Sequence, residues 1–485
     1  MENMIEIPLG PIDHAAPRHY CAFRFYLPLK PGVTPQSAFK VLHEGLHQTF
    51  TQLPWLSGQT WDQDPNAKDY RPGQLVIRHG HVHAAGPWPS QLVFRQFDSG
   101  ETLDELREDG FPTDALPESL PEWISFPPEA SKGPDVFKAQ ASFIPGGCIL
   151  LAGPQHLVCD GTAAISIVNL WAEHCRAIQL HSDVSVVATT SDRALLAGAC
   201  KAHVSKDSPG PAAWRLFGRS GPPPPLSETE ACRAPPARLS EVPMKSAIFY
   251  IPADRLTLLY KNSVDGGSSG VSTTDALSAL VSRCTLRARR KVALQDPDST
   301  SDVQKEGAWA AVAIMVDGRG QLDSDLLLSG YLGNMTCVNL ALMPLAQLTS
   351  TETSLASIAR LVREGAAGVN PKTLMDAYAL ADALPDFNQL QHADIPLDGT
   401  ALQVSPLLSL PASGLDFGGH LFGNGGCPEA LRPPMDWFNR SVRTCFFLPK
   451  LSGGGVEVVL NLFEHEMDTL LQDPEFLEYA VYLAD

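Results

Sequence analysis

One histidine in this sequence stands where a protein can hold a proton-transfer group in a fixed place. His156 follows an apolar segment, residues 148–152, and is followed by Asp160 and Gly161 in the pattern H-x-x-x-D-G. Histidine takes up and returns a proton near neutral pH, so this position suits general-base catalysis. Gly161 is expected to allow the turn that starts the next helix. The alternative is a core histidine beside a structural aspartate, because 14 histidines make the spacing possible by chance.

The elements that must position this motif alternate between strands and helices along the chain. Apolar runs predict strands over residues 20–29, 75–78, 148–152, 248–251, 309–316 and 456–462. Apolar residues at helical spacing predict helices over 35–53, 162–175, 274–286, 354–366 and 464–479. Residues 205–243 are crowded with proline, which is typical of an inter-domain connection. The sequence therefore predicts an α/β protein with two domains, 1–204 and 244–485, joined by a linker over 205–243.

Composition narrows the class of protein. The formal net charge of −18 opposes binding to nucleic acid, whose phosphates need a basic surface. No apolar run is long enough for a membrane span, and the first ten residues lack the basic and apolar regions of a secretory signal. The ten cysteines form no C-x-x-C pairs and several lie in apolar segments. These features predict a cytoplasmic protein with reduced, buried thiols.

Two motifs in this chain have the form of a known family's motifs. The matching residues are His156, Asp160 and Gly161 for H-x-x-x-D-G, and Asp416, Phe417 and Gly418 for the start of D-F-G-W-G. The sequence resembles the BAHD acyltransferases, in particular their fungal trichothecene 3-O-acetyltransferase-like branch. Further similar segments are residues 9–20, 272–280, 316–319, 331–334 and 448–480. They occur in the family's order and span nearly the whole chain.

The resemblance implies a two-domain fold of the chloramphenicol-acetyltransferase type with a tunnel between the domains. Acyl-CoA would enter from one face as a co-substrate, and a small-molecule acceptor from the other, with no metal and no permanently bound cofactor. His156 would remove the acceptor's proton as the acceptor attacks the thioester, without a covalent acyl-enzyme. Asp160 would be structural and orienting, paired with an arginine for which Arg319 is the candidate. The expected protein is a monomer that binds neither nucleic acid nor a membrane.

Two segments depart from the family pattern. Residues 416–420 have the sequence D-F-G-G-H in place of D-F-G-W-G, which is expected to change packing at a structural site. Residues 405–407 have the sequence S-P-L where plant members place Thr-Ser-Trp near the forming oxyanion. Ser405 is therefore the candidate donor to the oxyanion, with a water molecule as the alternative donor.

The start of a helix offers a candidate site for coenzyme A. Ser272 and Thr273 open a hydroxyl-rich S-T-T-D-A-L segment, and the free N–H groups and dipole of such a helix N-terminus suit an anion. Arg289 and Arg290, within the basic segment 283–291, are expected to add positive charge to this site. The same segment also fits a solvated helix end.

Other patterns that could carry chemistry have simpler explanations. A G-x-S-x-G pattern over 266–270 lacks the preceding strand of a nucleophile elbow, so a flexible loop is expected. His79, His81 and His83 alternate and could bind zinc from one strand face, but no carboxylate stands nearby in sequence, which favours an exposed strand edge. The glycine-rich segment 423–426 is expected to be a surface turn.

Three functions compete at this point. The first is an acyl-CoA-dependent O- or N-acyltransferase acting on a small hydroxylated molecule, such as a terpenoid, polyketide or alkaloid of fungal secondary metabolism. The second is a condensation-type acyltransferase that takes its acyl group from a carrier protein. Such domains usually carry a second histidine where this chain has Gln155. The third is a repurposed relative that cyclises or rearranges a hydrophobic metabolite, or only binds one, which the changed oxyanion segment leaves open.

Overall fold

The computed structural model shows strands packed against helices in two halves. The described residues are 4–98, 100–115, 121–125, 129–184, 189–202, 210–219, 221–223, 240–264, 270–296, 301–322, 330–390, 397, 399–449 and 454–485. The strands are β1 (Ile5–Pro8), β2 (Phe23–Pro28), β3 (Gln59–Asp62), β4 (Leu75–His79), β5 (Leu92–Gln96), β6 (Phe137–Ile144), β7 (Gly147–Pro154), β8 (Lys245–Ile251), β9 (Trp309–Asp317), β10 (Thr336–Pro344), β11 (Ala401–Pro406), β12 (Ala430–Arg432), β13 (Thr444–Phe447), β14 (Val456–Leu462) and β15 (Val481–Ala484). The helices are α1 (Pro35–Gln52), α2 (Leu103–Glu108), α3 (Glu122–Ser125), α4 (Gly161–Leu180), α5 (Arg193–Ala202), α6 (Ala253–Asn262), α7 (Thr273–Gln295), α8 (Leu345–Thr349), α9 (Leu355–Ala366), α10 (Pro371–Asp382), α11 (Phe438–Ser441), α12 (Glu464–Leu470) and α13 (Pro474–Tyr479).

A five-stranded sheet forms the centre of the first half. Its strand order is β12-β2-β7-β6-β5, and every neighbouring pair is antiparallel except β5 and β6. Helices α1 and α4 pack against each other, and Trp171 of α4 donates a 2.7 Å hydrogen bond to the Leu42 carbonyl of α1. Phe25, Phe50 and Phe137 belong to the core between these helices and the sheet. This packing fixes β7 and α4, the two elements that flank His156.

The start of α4 is fixed by the residue that precedes it. Asp160 is the N-cap, and its carboxylate accepts a 3.1 Å hydrogen bond from the Ala163 N–H. Such a cap satisfies one of the N–H groups that a helix leaves unpaired at its first turn. The connection between β7 and α4 is therefore short and held at its far end by the aspartate of the H-x-x-x-D-G motif.

A seven-stranded sheet forms the second half, in the order β10-β9-β11-β13-β14-β8-β15. Strand β11 runs parallel to both of its neighbours, β9 and β13, and the other pairs are antiparallel. Val404 of β11 lies level with Ile314 of β9. Because parallel neighbours end at the same edge of a sheet, the ends of β9 and β11 deliver their last residues to one place.

One segment that follows residue 244, the predicted start of the second domain, packs with the first half. Phe417 and Phe422, which follow the boundary by far in sequence, lie in the core of the first half. Strand β12 pairs with β2 at the edge of the first sheet. The segment with the D-F-G motif therefore completes the N-terminal half, a non-local pairing that composition and local pattern do not reveal.

Most predicted elements are present with shifted ends. The predicted strand over 20–29 begins only at Phe23, and Tyr20 forms a single bridge to Gln155. The predicted helix over 464–479 is two helices, α12 and α13, and Pro474 begins the second one because proline cannot continue a helix. Nine strands were not predicted: β1, β3, β5, β6, β10, β11, β12, β13 and β15. The sequences of β6, β10 and β11 mix small and polar residues with apolar ones.

The proline-rich segment is described at residues 210–219, 221–223 and 240–243. Its 3₁₀ helix, Pro211–Phe217, buries Trp214 and Leu216. Leu216 lies in a core with Tyr331 and Leu374 of the second half. This part of the predicted linker is therefore a packed element rather than an extended connection.

Composition predicted reduced, buried thiols and no membrane span. Nine cysteines of the described residues are free thiols, and eight of these nine are buried. None of the helices in the described part of the chain combines the length and the apolar character of a membrane span.

Candidate active site

A cavity of about 170 Å³ lies between the two halves of the molecule. Its polar lining residues are His19, His156, Thr162, Asp317, Asn334, Thr336, Gln403, Ser405 and Ser409. Its apolar lining residues include Ala15, Ala16, Leu216, Phe217, Met315, Val316, Val338, Leu407, Leu410 and Phe438. A largely apolar wall with a few convergent polar groups is typical of a site for a small molecule.

His156 reaches this cavity from a rigid strand end. The preceding residue, Gln155, is buried; its side chain accepts a hydrogen bond from Thr60 Oγ1 at 3.0 Å and donates to two backbone carbonyls at 3.1 and 2.8 Å. The His156 N–H donates to the His19 carbonyl at 2.8 Å. These bonds fix the chain at His156 and at the residue before it.

The two ring nitrogens of His156 have different surroundings. Nδ1 is buried and has no hydrogen-bond partner among the described residues. Nε2 is the nitrogen left to face the cavity that His156 lines. Burial lowers the pKa of His156, although Asp160 and Asn334 act in the opposite direction. The neutral imidazole is therefore favoured near neutral pH, which is the state that a general base needs.

Asp160 and Arg319 form the predicted ion pair behind the histidine. Arg319 donates from two guanidinium nitrogens to the two carboxylate oxygens, at 2.8 and 3.0 Å. The carboxylate also accepts from the N–H groups of Ala163 and Met335, at 3.1 and 2.8 Å. Burial alone would raise the pKa of Asp160, but Arg319 and these N–H groups hold it below its usual value. Asp160 is thus a fixed anion that orients its surroundings.

Arg319 also holds the segment 331–335, which contributes Asn334 to the wall of the cavity. It donates to the carbonyls of Tyr331 at 3.1 Å and Gly333 at 2.7 Å. From the other side, Asp13 accepts from the Asn334 side chain at 2.9 Å and forms a buried ion pair with Arg193 at 3.2 Å. Two buried ion pairs therefore clamp one short segment at the wall of the cavity.

Gly161 has a different role from the expected one. It is the first residue of α4, and its φ angle is not positive, so the turn does not require glycine. A Cβ built on Gly161 would meet no atom within 4 Å, and Gly161 lines the cavity. The missing side chain leaves open space beside His156.

Ser405 lies on the part of the cavity wall that the seven-stranded sheet contributes. It is near the end of β11, where it pairs in register with Phe446 of β13, and it is buried. Ser405 and Leu407 both line the cavity together with His156. Ser405, which the family's sequence register made a candidate, thus lines the same cavity as His156.

The structure does not bring together the residues proposed to hold coenzyme A. Ser272 is the N-cap of α7, and its hydroxyl and N–H bind the Asp275 carboxylate within a capping box. Thr273 is the first residue of the helix. Arg289 is seventeen residues beyond Ser272 in sequence, which corresponds to about 25 Å along a helix. None of these residues lines the cavity.

The basic segment of α7 is neither an open anion site nor a solvated helix end. Arg289 is buried and donates to the carbonyls of Leu397, Gly399 and Ala401. Arg290 donates to Thr349 Oγ1 at 3.3 Å. The long side chains of this segment are used to join α7 to neighbouring loops, which the linear pattern of charges could not show.

The D-F-G motif is a packing and turn element. Phe417 is fully buried against Trp171 and Phe422. Asp416 accepts a 2.9 Å hydrogen bond from the Gly418 N–H. Gly418 has φ +100°, and a Cβ there would lie 2.0 Å from the Gln179 side chain, so glycine is required at this position.

The other patterns, where the structure describes them, do not line the cavity. Residues 266–269 of the G-x-S-x-G pattern lie outside the described residues. His79 ends β4 and is buried, with Nδ1 2.8 Å from the Gly80 carbonyl, whereas His81 and His83 follow the strand and are exposed. The three histidines therefore do not share one strand face. The segment 423–426 is a turn packed on β2, since the Gly423 N–H donates to the Pro28 carbonyl at 2.7 Å.

Two lining residues were not singled out from the sequence. His19 has its ring centroid 5.3 Å from that of His156 and packs against Trp437 at 4.7 Å. Asn334 has only 3% of its surface exposed. Both lie in segments that resemble the family, 9–20 and 331–334, so the similarity of these segments was the available signal for them.

Comparison with known proteins agrees with this architecture. The sequence profile named "Transferase family" matches residues 96–477. The isocyanide synthase-NRPS hybrid crmA of Aspergillus fumigatus is 27% identical over 97% of this chain, which spans 31% of that protein's length. The O-acetyltransferase dmxR13 of Cryptosporiopsis sp. is 26% identical over 96% of this chain and 94% of its own length.

A solved structure gives the same fold. The crystal structure of F. graminearum TRI101 complexed with coenzyme A and T-2 mycotoxin matches with a TM-score of 0.73 at 19% identity. The match covers 99% of this chain and 100% of that one. It confirms the expected mixed α/β, two-domain fold of the chloramphenicol-acetyltransferase type.

Proposed function

Because this chain belongs to the Transferase family and is an acyltransferase of that family, we propose that it moves an acyl group from acyl-CoA to a hydroxyl or amine of a small apolar metabolite. One observation carries the proposal. His156 turns Nε2 toward a largely apolar cavity between the two halves, while a buried ion pair fixes the motif behind it. A neutral, fixed imidazole at such a place is equipped to take a proton from a bound alcohol.

The proposed reaction uses His156 as a proton carrier. The acceptor O–H donates its proton to Nε2 as its oxygen attacks the thioester carbonyl. The tetrahedral intermediate then collapses, the C–S bond breaks, and the proton on Nε2 passes to the departing thiolate of CoA. Asp160 takes no proton in this scheme, because Arg319 holds its pKa below the usual value. No covalent acyl-enzyme is formed, since the acceptor attacks the thioester directly.

Ser405 is the proposed donor to the oxyanion. The carbonyl oxygen gains negative charge as the acceptor attacks, and a hydroxyl already in place stabilises that charge. Ser405 lines the same cavity as His156, on a strand end that the sheet holds in register. Leu407 beside it offers only an apolar wall. A water molecule is the alternative donor.

The walls of the cavity indicate the acceptor class. Side chains such as Leu216, Phe217 and Met315 present carbon atoms, so a ligand gains free energy by burying apolar surface against them. A terpenoid, polyketide or alkaloid with one reactive hydroxyl fits this description. The name of the relative dmxR13, an O-acetyltransferase, supports transfer to oxygen. We therefore propose O-acylation of such a metabolite, of the kind made in fungal secondary metabolism.

A carrier-protein donor is the second candidate, because the relative crmA is named as an NRPS hybrid. Condensation-type domains resemble this chain but usually carry a second histidine at the position of Gln155. Here the Gln155 side chain is fully buried and bonded to Thr60 and to two backbone carbonyls, and it does not line the cavity. This observation favours acyl-CoA over a carrier-bound donor.

A coupled assay tests the proposal. The purified protein is incubated with acetyl-CoA and a panel of apolar alcohols, free CoA thiol is measured, and products are identified by mass spectrometry. We expect CoA release that depends on the acceptor, with a product heavier by one acetyl group. His156→Ala serves as the matched protein control.

Two results would contradict the proposal. Conversion of an acceptor to an isomer without consumption of acyl-CoA would support a repurposed catalyst instead. Activity only with an acyl-pantetheine carrier protein, and not with acetyl-CoA or longer acyl-CoA, would support the condensation-type function.

A further inference from the structure

The described lining of the cavity carries one acidic side chain, Asp317. The other polar groups of this lining are imidazoles, hydroxyls and amides, and no lysine or arginine of the described residues is among them. The rest of the wall is apolar. A carboxylate beside an apolar wall attracts a positive charge more strongly than it would in bulk water, because the wall screens the charge less. The balance of charge around Asp317 therefore bears on what the cavity binds.

The cation bonded to Asp317 in the described part of the chain is Arg319, and this arginine is shared. It donates to Asp317 Oδ1 at 3.0 Å and to both oxygens of Asp160 at 2.8 and 3.0 Å. Its other N–H groups donate to the carbonyls of Tyr331 and Gly333. All five guanidinium donors are therefore used. Two carboxylates that share one guanidinium leave one negative charge unbalanced.

The unbalanced charge belongs to Asp317 rather than to Asp160. Asp160 is 1% exposed and accepts hydrogen bonds from Arg319 and from two backbone N–H groups. The Asp317 side chain, in contrast, is 36% exposed and lines the cavity. Arg193 does not balance it, because that arginine forms its own buried ion pair with Asp13 at 3.2 Å. A positively charged group of a ligand could balance Asp317 from the cavity.

Hydrogen bonds from both halves of the molecule fix the Asp317 carboxylate. Oδ1 accepts from the Arg319 N–H at 2.9 Å, and Oδ2 accepts from Thr162 Oγ1 at 2.9 Å. Thr162 lies in the first turn of α4, the helix that begins with the last residue of the H-x-x-x-D-G motif. Each carboxylate oxygen can accept two hydrogen bonds, and Oδ2 has one donor among the described residues. Oδ2 can therefore accept a second donor from a ligand.

A structural role accounts for the Asp317 side chain but not for its charge. Asp317 is the N-cap of the 3₁₀ helix Gly318–Gln321, where its carboxylate accepts from the Arg319 N–H. Asparagine and serine cap a helix about as well as aspartate does, because the cap requires only an acceptor oxygen. The Thr162 hydroxyl could equally donate to an amide oxygen. The negative charge is thus not needed for either contact.

The two substrates of the proposed reaction differ in how they suit this charge. Acyl-CoA carries several negatively charged phosphate oxygens, which a carboxylate repels. An acceptor with a basic amine is protonated near neutral pH and can donate a charged N–H···O hydrogen bond to Oδ2. A protonated nitrogen has no lone pair, so it cannot attack the thioester. A hydroxyl elsewhere in the same molecule is then the nucleophile that His156 activates.

We propose that Asp317 is a specificity-determining residue that binds the protonated amine of the acceptor through Oδ2, while a hydroxyl of the same molecule reaches Nε2 of His156. The acceptor is then a hydroxylated amine with an apolar skeleton. Of the three acceptor classes that the apolar wall suits, this selects the alkaloids. The inference rests on the proposed acyl transfer and narrows its acceptor.

Two acceptors that differ in one ring atom test the role of the charge. They are a hydroxymethyl quinolizidine, whose ring nitrogen is protonated near neutral pH, and the hydroxymethyl decalin that has carbon in place of that nitrogen. We expect calorimetry to show that the wild type binds the quinolizidine about 5–30-fold more tightly, between the effects of an exposed ion pair and of a charged hydrogen bond. In the acetyl-CoA assay, kcat/KM should show the same preference.

Asp317→Asn should abolish this preference, because it removes the charge and keeps a capping oxygen. The ratio between the two acceptors is the readout, since a merely structural change would affect both alike. Asp382→Asn is the matched control: it removes the same charge from a carboxylate that lies 3.7 Å from Arg71 and does not line the cavity. It should keep the full preference. Asp317→Ser, which also keeps a capping oxygen, serves if the asparagine variant does not fold.

Failure of this inference and failure of the proposed function give different results. If the wild type binds both acceptors equally, or if Asp317→Asn keeps the preference for the quinolizidine, Asp317 does not select an amine. If the preference is present and depends on Asp317 but no acetyl group is transferred to either acceptor, the amine site stands and the proposed acyl transfer is wrong.

Discussion

Two clusters of buried ion pairs in this molecule differ in whether they hold polar atoms that lack hydrogen-bond partners. Around His156, the Asp160–Arg319 pair is saturated, yet Nδ1 of the histidine and Oδ1 of Asn334, both in residues that line a cavity, have no hydrogen-bond partner among the described residues. The cluster on α7 has no such atoms at Arg283, whose three guanidinium nitrogens bind the Glu475 carboxylate and two carbonyls.

The charged groups of the α7 cluster are bonded to one another. Arg287 binds both oxygens of Asp473, at 2.8 and 2.9 Å, and Glu475 at 2.8 Å. None of these residues lines the cavity. The difference shows that a buried charge alone indicates a structural role. A functional role is indicated where buried charges fix a polar group that lacks a hydrogen-bond partner beside a cavity.

The largest effect is expected at the one group that should move a proton. His156→Ala should lower kcat by about 10²–10⁴-fold, because the acceptor loses its base. The control is His47→Ala, which removes a buried histidine bonded to the Ala84 carbonyl outside the cavity. If a folded His156→Ala protein kept most of its activity, the cluster around His156 would have no catalytic role that the α7 cluster lacks.

Removing one arginine from each cluster should separate stability from activity. Arg319→Leu strands the buried Asp160 and should cost about 3–5 kcal/mol of unfolding free energy, together with a loss of kcat. Arg283→Leu should cost about 1–3 kcal/mol through its orphaned carbonyl partners, with kcat unchanged. Denaturant unfolding and kcat measured where both proteins are folded check this. An equal loss of kcat in both variants would mean that the two clusters do not differ in their effect on catalysis.

The oxyanion wall should show an effect confined to the transition state. Ser405→Ala should cost about 2.7–4 kcal/mol in kcat with the acceptor KM nearly constant, because the hydrogen bond strengthens only as charge develops. Ser409→Ala, on the same wall, is the control. A Ser405→Ala enzyme within about threefold of wild type would assign the oxyanion to water.

The smallest effect on stability, with the opposite sign, is expected at Gly161. Alanine is the better helix former by about 0.5–1 kcal/mol, and no atom obstructs a Cβ there, so Gly161→Ala should raise Tm slightly. It should also raise the acceptor KM, because the methyl group enters the cavity. Gly198→Ala in α5, which also meets no atom, should raise Tm without altering KM. An unchanged KM in both would show that the space at Gly161 is not used.

The parts of the site that were predictable from sequence are local. His156 and Asp160 lie within one short strand–helix connection, so their spacing alone places them together. The pairing of Asp160 with Arg319 followed from the resemblance, and the structure places their charged atoms 2.8 Å apart. Ser405 became a candidate through its sequence register with the same family, and it lines the cavity.

The parts that were not predictable depend on distant segments. Asn334 acquires its direction from Asp13, 321 positions away in sequence. Ser272 and Arg289, both expected at the coenzyme A site, lie seventeen residues apart along one long helix. Likewise β12 joins the first sheet across most of the chain. Spacing cannot show which side chains share a cavity when the sheet order decides it.

The most direct measurement of the central claim is the pH dependence of kcat/KM for acetyl transfer by the wild-type protein. Burial disfavours the charged imidazole and lowers the pKa of His156 from its ordinary value of 6.5. Only the neutral ring accepts a proton, so the rate should rise with pH through a midpoint below 6.5 and level off above that midpoint. The residual activity of His156→Ala should lack this limb. A wild-type rate that still rises through pH 8, or an acid limb unchanged in His156→Ala, would contradict a neutral histidine as the base.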